Sequence, residues 1–227
     1  MFNFLEKNPF FFTVAFLAVF SIAGLVELIP NFSKSARPTE GLKPYTPLEL
    51  AGRQVYIKES CNACHSQLVR PFKSETDRYG MYSLSGEYAY DRPFLWGSKR
   101  TGPDLHRVGD YRTTDWHENH MYDPTTVVPG TIMPAYKHLF TNSSDLDTAY
   151  AEAYTVKAVF GVPYDAEGMP ALGTYADARA QMLKEAEAIV ADMKHPGVKD
   201  ALKNGEVKEI VALIAYLNSL GQTRRVQ

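Results

Sequence analysis

Apolar positions fall into one block, several helical stripes and one stretch with no pattern in this 227-residue chain. The block comes first. No charge lies between Lys7 and Glu27, and Pro9 to Ile29 is rich in Phe, Val, Leu, Ile and Ala. About 20 residues rising 1.5 Å each make a helix of about 30 Å, one bilayer core. A cleaved signal peptide is the competing reading, with Ser21-Ile22-Ala23 as a small-residue cleavage site. The apolar run continues past it through Leu25, Val26, Leu28 and Ile29, and the preceding segment offers only Glu6 and Lys7. An uncleaved transmembrane anchor over residues 1–30 is therefore expected. Pro30, Pro38 and Pro44 punctuate a polar stretch, which makes 31–46 a linker.

The stripes follow. Thr46-Pro47-Leu48-Glu49 predicts a helix start with Thr46 as N-cap, Pro47 in the first turn and Glu49 closing a capping box. Leu50, Val55 and Ile57 make this helix partly apolar, and Gly52 and Tyr56 share one i, i+4 face. At the other end of the chain Val207, Ile210, Val211, Ile214, Leu217 and Leu220 recur at helical spacing, with Asn204 read as the cap and Gly221 as the stop. A short helix is expected over Thr114–Tyr122, one around 149–160, a loop at Gly161-Val162-Pro163-Tyr164, and a charged amphipathic helix over 175–194. Residues 66–102 show no period and are dense in Tyr, Arg, Gly and Pro. A loop that long is uncommon unless it binds something, and its arginines and aromatics suit a partner surface. The chain reads as mainly α.

Composition narrows the function little. A hydrophobic fraction of 45% and a net charge of -2 describe an ordinary globular protein, and the missing basic excess gives no reason to expect nucleic acid. The two cysteines say more, because both fall in Cys61-Asn62-Ala63-Cys64-His65. C-x-x-C-H is the attachment site of a c-type haem: each thiol adds across a vinyl group, and the following histidine ligates iron. A zinc site would need a second ligand pair, and a redox dithiol would want a βαβ setting. One motif implies one covalently attached haem c. An electron-transfer iron usually keeps six ligands, and the downstream candidates for the second axial position are His106, His117, His120, Met121, Met133 and His138. Met133 sits before Pro134 in a rigid loop, and a thioether suits a high-potential carrier. It is the expected ligand, with His117 and His120, on a solvated or partly buried helix face, as alternatives.

Gly52 and Tyr56 ahead of the motif, and Leu213-Ile214-Ala215-Tyr216-Leu217 near the end, resemble the first and last helices of class I cytochromes c. Gly102-Pro103-Asp104-Leu105 resembles the G-P-x-L stretch of that class. The resemblance implies that the Pro103 carbonyl accepts a hydrogen bond from His65, fixing the ring and raising its basicity.

The longer pattern is more specific. Cys-Asn-Ala-Cys-His-Ser-Gln at 61–67, Arg70-Pro71-Phe72, Glu75-Thr76-Asp77-Arg78-Tyr79-Gly80, Trp96 to Leu105 and Met133-Pro134-Ala135-Tyr136 resemble the mono-haem cytochrome c subunit (subunit II) of cbb3-type cytochrome c oxidases. That resemblance implies a class I cytochrome c-like domain over 47–227, with an irregular insertion at 66–102 and a helical insertion at about 140–200. It implies a non-catalytic electron-transfer subunit of an oxidoreductase complex. Electrons would enter from a di-haem cytochrome c subunit and leave to the haem-copper catalytic subunit that reduces dioxygen to water. Arg70, Arg92, Lys99 and Arg100 are expected to meet acidic groups of that partner or haem propionates. The implied location is the bacterial cytoplasmic membrane, single-pass, N-terminus cytoplasmic and haem domain periplasmic. Lys34, Arg37 and Lys43 after the span favour the opposite orientation, but large domains translocate regardless of such charges. The alternatives are the cytochrome c subunit of a nitric oxide reductase, a stand-alone membrane-anchored carrier, and a peroxidase-like haem enzyme or gas sensor with an open distal site.

Overall fold

Twenty residues from Pro9, with Glu27 the single charge among them, form one helix with none of its side chains buried. In the computed structural model, which describes residues 2–32 and 37–221, this helix is α2 (Pro9–Leu28), preceded by α1 (Phe2–Lys7). Pro9 starts α2 because the first turn needs no donor from it. Phe12, Phe16 and Phe20 line one face at i, i+4 spacing, with ring centroids 6.4 and 4.3 Å apart. The helix is long and apolar enough to cross a membrane. It belongs to one compact unit, Met1–Ala36; the second unit is Arg37–Gln227.

The second unit is helical. Its elements are α3 (Pro47–Lys58), α4 (Lys73–Tyr79), α5 (Thr114–Tyr122), α6 (Leu146–Phe160), α7 (Tyr175–Asp192), α8 (Pro196–Lys203) and α9 (Glu209–Ser219), joined by loops and 3-10 turns. Among the described residues no strand forms. α3 opens on the expected capping box: the Thr46 hydroxyl accepts from the Glu49 N–H at 3.3 Å, and the Glu49 carboxylate accepts from the Thr46 N–H at 2.8 Å. The Thr46 hydroxyl donates in turn to Glu185 on α7, at 2.8 Å.

α3 and α9 form the centre of the core. Every residue from Glu209 to Leu217 is buried, so α9 is enclosed on all sides. The two helices approach closely at Gly52, where a Cβ would stand 1.9 Å from the Ala212 carbonyl oxygen. One turn on, Tyr56 and Tyr216 pack edge to face, ring centroids 5.5 Å apart. α6 packs on α3, and α7 lays Ala178, Met182, Ala186 and Val190 against the α3–α9 pair. Residues 37–46 join this unit: the Thr39 N–H donates to the Gly86 carbonyl at 3.1 Å, and the Tyr164 hydroxyl to the Tyr45 carbonyl at 2.6 Å.

Three expected elements differ. Asn204 does not cap the last helix; it ends α8, and α9 starts only at Glu209. Gly205 takes φ +75°, and the chain then pairs with 142–144: the Ser144 N–H donates to Val207 and the Glu209 N–H to Asn142. The helix expected to 194 stops at Asp192, because the Lys194 and His195 N–H groups turn to the Glu118 carboxylate at 2.8 and 2.7 Å ahead of Pro196. The 66–102 stretch is not wholly irregular, since α4 lies inside it. Glu75 in its first turn accepts from the Arg70 N–H at 2.8 Å, and Gly80 at φ +93° ends it.

Candidate functional site

α3 delivers the chain to the cysteine motif through Ser60, in the left-handed region at φ 56°. A 3-10 turn over Cys61–Ala63 follows. The Cys61 carbonyl accepts from the N–H groups of Cys64 at 3.2 Å and His65 at 2.9 Å, which closes the motif into one tight turn. Both cysteines are free thiols, Cys61 half-buried against the core and Cys64 exposed. Burial pushes the Cys61 thiol up to about 12, with Glu59 adding to the shift.

His65 Nδ1 lies 2.7 Å from the Pro103 carbonyl oxygen. A carbonyl only accepts, so Nδ1 carries the hydrogen and Nε2 is left with a lone pair. Burial lowers the His65 pKa, against the opposing pull of the Pro103 carbonyl and Asp104, which keeps the ring neutral. Gly102 lies against the ring: a Cβ there would stand 2.2 Å from Cε1. Two backbone bonds tie the segments together, Gly102 N–H to the Cys64 carbonyl at 3.0 Å and Leu105 N–H to the Ser66 carbonyl at 2.9 Å.

Met133 is partly buried against the core. Its N–H donates to the Thr131 hydroxyl at 3.2 Å, and the Tyr136 N–H donates to the Met121 carbonyl at 2.8 Å, tying the loop to the end of α5. His138 Nε2 meets Glu59 at 3.0 Å, tying the same loop to the residue after α3. Burial, then the nearby Cys61, raises the Tyr136 phenol above its ordinary value. The methionine loop is thus fastened to α5 and to the residue two positions ahead of the cysteine motif.

The other candidates separate. His106 is committed to the 66–107 cluster, with Nδ1 2.6 Å from the Ser83 hydroxyl and the ring stacked on Tyr88. His117 is not on a solvated face. It is 1% exposed, and neither ring nitrogen has a hydrogen-bond partner among the described residues. Burial, with His120 and Arg112, lowers it to about 4. His120 is less buried and is lowered to about 4 by burial, then by the charges of His65 and Arg112. It stacks on Trp116 at 4.5 Å.

These residues fit a haem. The donor set is two free thiols, an imidazole whose tautomer leaves Nε2 available, and a thioether on a tethered loop. Gly102 leaves the proximal ring no side chain to meet, and the unpartnered nitrogens of His117 are buried polar atoms that the polypeptide does not satisfy. Among the described residues no group of three or more His, Cys, Asp or Glu side chains is arranged to hold a free metal ion.

The arginines expected to reach a partner are largely spent inside the chain. Arg100 donates to the Ser66 hydroxyl at 2.8 Å and the Leu68 carbonyl at 2.6 Å, and pairs with Glu75 at 2.7 Å. Arg70 pairs with the same Glu75. Arg92 donates to the Asp91 carbonyl at 2.6 Å and lies over the Phe160 ring. Arg70 and Lys99 are exposed, Arg70 while held by Glu75, and Arg92 and Arg100 are half-buried. The aromatics do reach the surface: Phe94 and Trp96 stack at 4.6 Å, both exposed.

No curated protein matches the chain. The family described as "Cytochrome C oxidase, mono-heme subunit/FixO" matches residues 2–224, both units included. The chain belongs to that family, the mono-haem cytochrome c subunits of cbb3-type cytochrome c oxidases.

Proposed function

We propose that this subunit holds one haem c covalently and relays electrons, without substrate chemistry of its own, to the haem-copper subunit of the oxidase. The observation that carries the reading is the 2.7 Å contact from His65 Nδ1 to the Pro103 carbonyl, directly after a C-x-x-C-H turn. Cys61 and Cys64, both free thiols, would hold the haem covalently, each by addition of S–H across a vinyl group with carbon taking the hydrogen and no net electron change. The haem supplies a one-electron centre when bound. His65 would hold the iron through Nε2, with the Pro103 carbonyl fixing its orientation and basicity. Met133 would offer its thioether to the same iron from its tethered loop, which would leave exogenous ligands no open site. The α3–α9 core excludes water from one side, which helps hold the potential.

In this reading α2 spans the bacterial cytoplasmic membrane as a single anchor with the N-terminus cytoplasmic, and the unit from Arg37 onward, which takes in most of the expected 31–46 linker, is periplasmic. Electrons enter from the di-haem cytochrome c subunit. The exposed Phe94–Trp96 pair and Lys99 belong to the docking face in place of Arg70, Arg92 and Arg100.

The test is the oxidase purified in mild detergent from membranes carrying Met133→Ala. Denatured wild-type subunit should retain haem, and Cys61→Ala/Cys64→Ala should lose it. The oxidised Met133→Ala complex should lose the thioether-to-iron charge-transfer band, and its reduced haem c should bind carbon monoxide. A haem c that keeps that band without Met133 would overturn the ligand assignment.

A further inference from the structure

Asp104 follows the proline that orients His65, and its carboxylate is enclosed by donors. It accepts from the Ser66 hydroxyl at 2.6 Å, the Leu68 N–H at 2.8 Å and the His106 N–H at 2.9 Å. Its side chain has no solvent exposure, and Arg100 stands 3.6 Å away. A shell made only of donors suits an ionised carboxylate. Ser66 is the residue after His65, so Asp104 ties the histidine side of the turn to the proline side. Arg100 completes the arrangement by donating to the Ser66 hydroxyl and by pairing with Glu75, itself 6% exposed. A row of alternating charge, Asp104–Arg100–Glu75–Arg70, therefore runs out from behind the proximal histidine to the surface.

We propose that Asp104 and Arg100 are positioning residues that set the redox potential of the centre, by fixing His65 against Pro103 and by placing a buried carboxylate and its half-buried arginine partner behind it. The inference rests on His65 being the proximal ligand. A buried or half-buried charge is screened less than one in open solvent, so each member would act on the centre with its own sign. The Asp104 negative charge favours the oxidised state, and the Arg100 positive charge opposes it. Scaffolding alone predicts something different: loosening the ladder from either end would move the potential in one common direction.

The test is the midpoint potential of haem c in the purified oxidase complex, with wild type, Asp104→Asn, Arg100→Gln and the double variant. Asp104→Asn should shift the potential upward, Arg100→Gln downward, and the double variant should return toward wild type. Shifts of one sign in both single variants, or none, overturn the inference. Glu75→Gln carries the negative-charge arm if Asp104→Asn fails to assemble, and should also shift upward. His65→Ala separates the two readings. A haem c spectrum that survives His65→Ala overturns the ligand assignment itself. A spectrum that needs His65, with a potential indifferent to Asp104, Arg100 and Glu75, overturns this inference alone.

Discussion

Gly52 packs against the Ala212 carbonyl, where a methyl group would stand 1.9 Å from the oxygen and 2.8 Å from Tyr216 Cβ. Neither neighbour is the free end of a flexible side chain, so α3 and α9 would have to separate. Gly52→Ala should cost about 3 kcal/mol, the upper end of ordinary overpacking. Thermal unfolding of the detergent-solubilised complex, followed by haem c absorbance, measures it. Unchanged unfolding would mean that the helices can part at little cost.

Tyr216 and Gln67 make a second prediction. The Tyr216 hydroxyl is 3.0 Å from Gln67 Nε2 and 3.1 Å from Oε1, and both residues are at most 1% exposed. Tyr216→Phe leaves the Gln67 amide buried without that partner, which should cost about 1–3 kcal/mol. Gln67→Leu on the same background should recover part of the loss, because it removes the unsatisfied group. A double variant less stable than Tyr216→Phe would contradict this account.

What could be read in the sequence was local. The α3 start is written in Thr46, Pro47 and Glu49, whose partners lie three residues apart, and the expected Thr114–Tyr122 helix has the bounds observed. The anchor is a composition signal, and Cys61 to His65 is a five-residue motif. What escaped depends on distant partners. Glu75 and Arg100 are 25 positions apart and Ser66 and Asp104 are 38 apart, so arginines that looked available for another protein are consumed within the fold. The full burial of His117, expected on a solvated or partly buried face, was hidden because Asp115, Glu118 and Asn119 surround it in sequence. Gly205 to Lys208 fall inside the helix expected from an Asn204 cap, and only the pairing of 207–209 with 142–144 explains why it starts later.

Glu87 and Arg107 form a buried ion pair, with side chains 2% and 4% exposed. Burial alone would raise the Glu87 carboxyl, but Arg107 overrides it and holds it down at about 2, against an ordinary value of 4.5. A depressed carboxyl contributes stability that is complete above 4.5 and lost as pH falls toward 2. Arg107→Gln strands the carboxylate and should cost about 3–5 kcal/mol at neutral pH. It should also flatten the dependence of unfolding temperature on pH between 5 and 3. A variant as steeply pH-dependent as wild type would assign acid sensitivity to other groups.

Glu49 titrates in the opposite sense. Burial, with Glu185 adding to it and the Thr46 N–H opposing, pushes its carboxyl up to about 8 from an ordinary 4.5. Between those values the folded chain holds a proton that the unfolded chain has released. Stability is therefore fully present below 4.5 and falls as pH rises toward 8. Glu49→Gln keeps an oxygen to accept from Thr46, as capping boxes allow, and removes the titration. The variant should match wild type near pH 5 and exceed its unfolding temperature at pH 8, with Glu185→Gln moving the same way by less. A Glu49→Gln protein less stable than wild type at pH 8 would mean that the carboxylate itself, rather than a protonated carboxyl, closes the capping box at the start of α3.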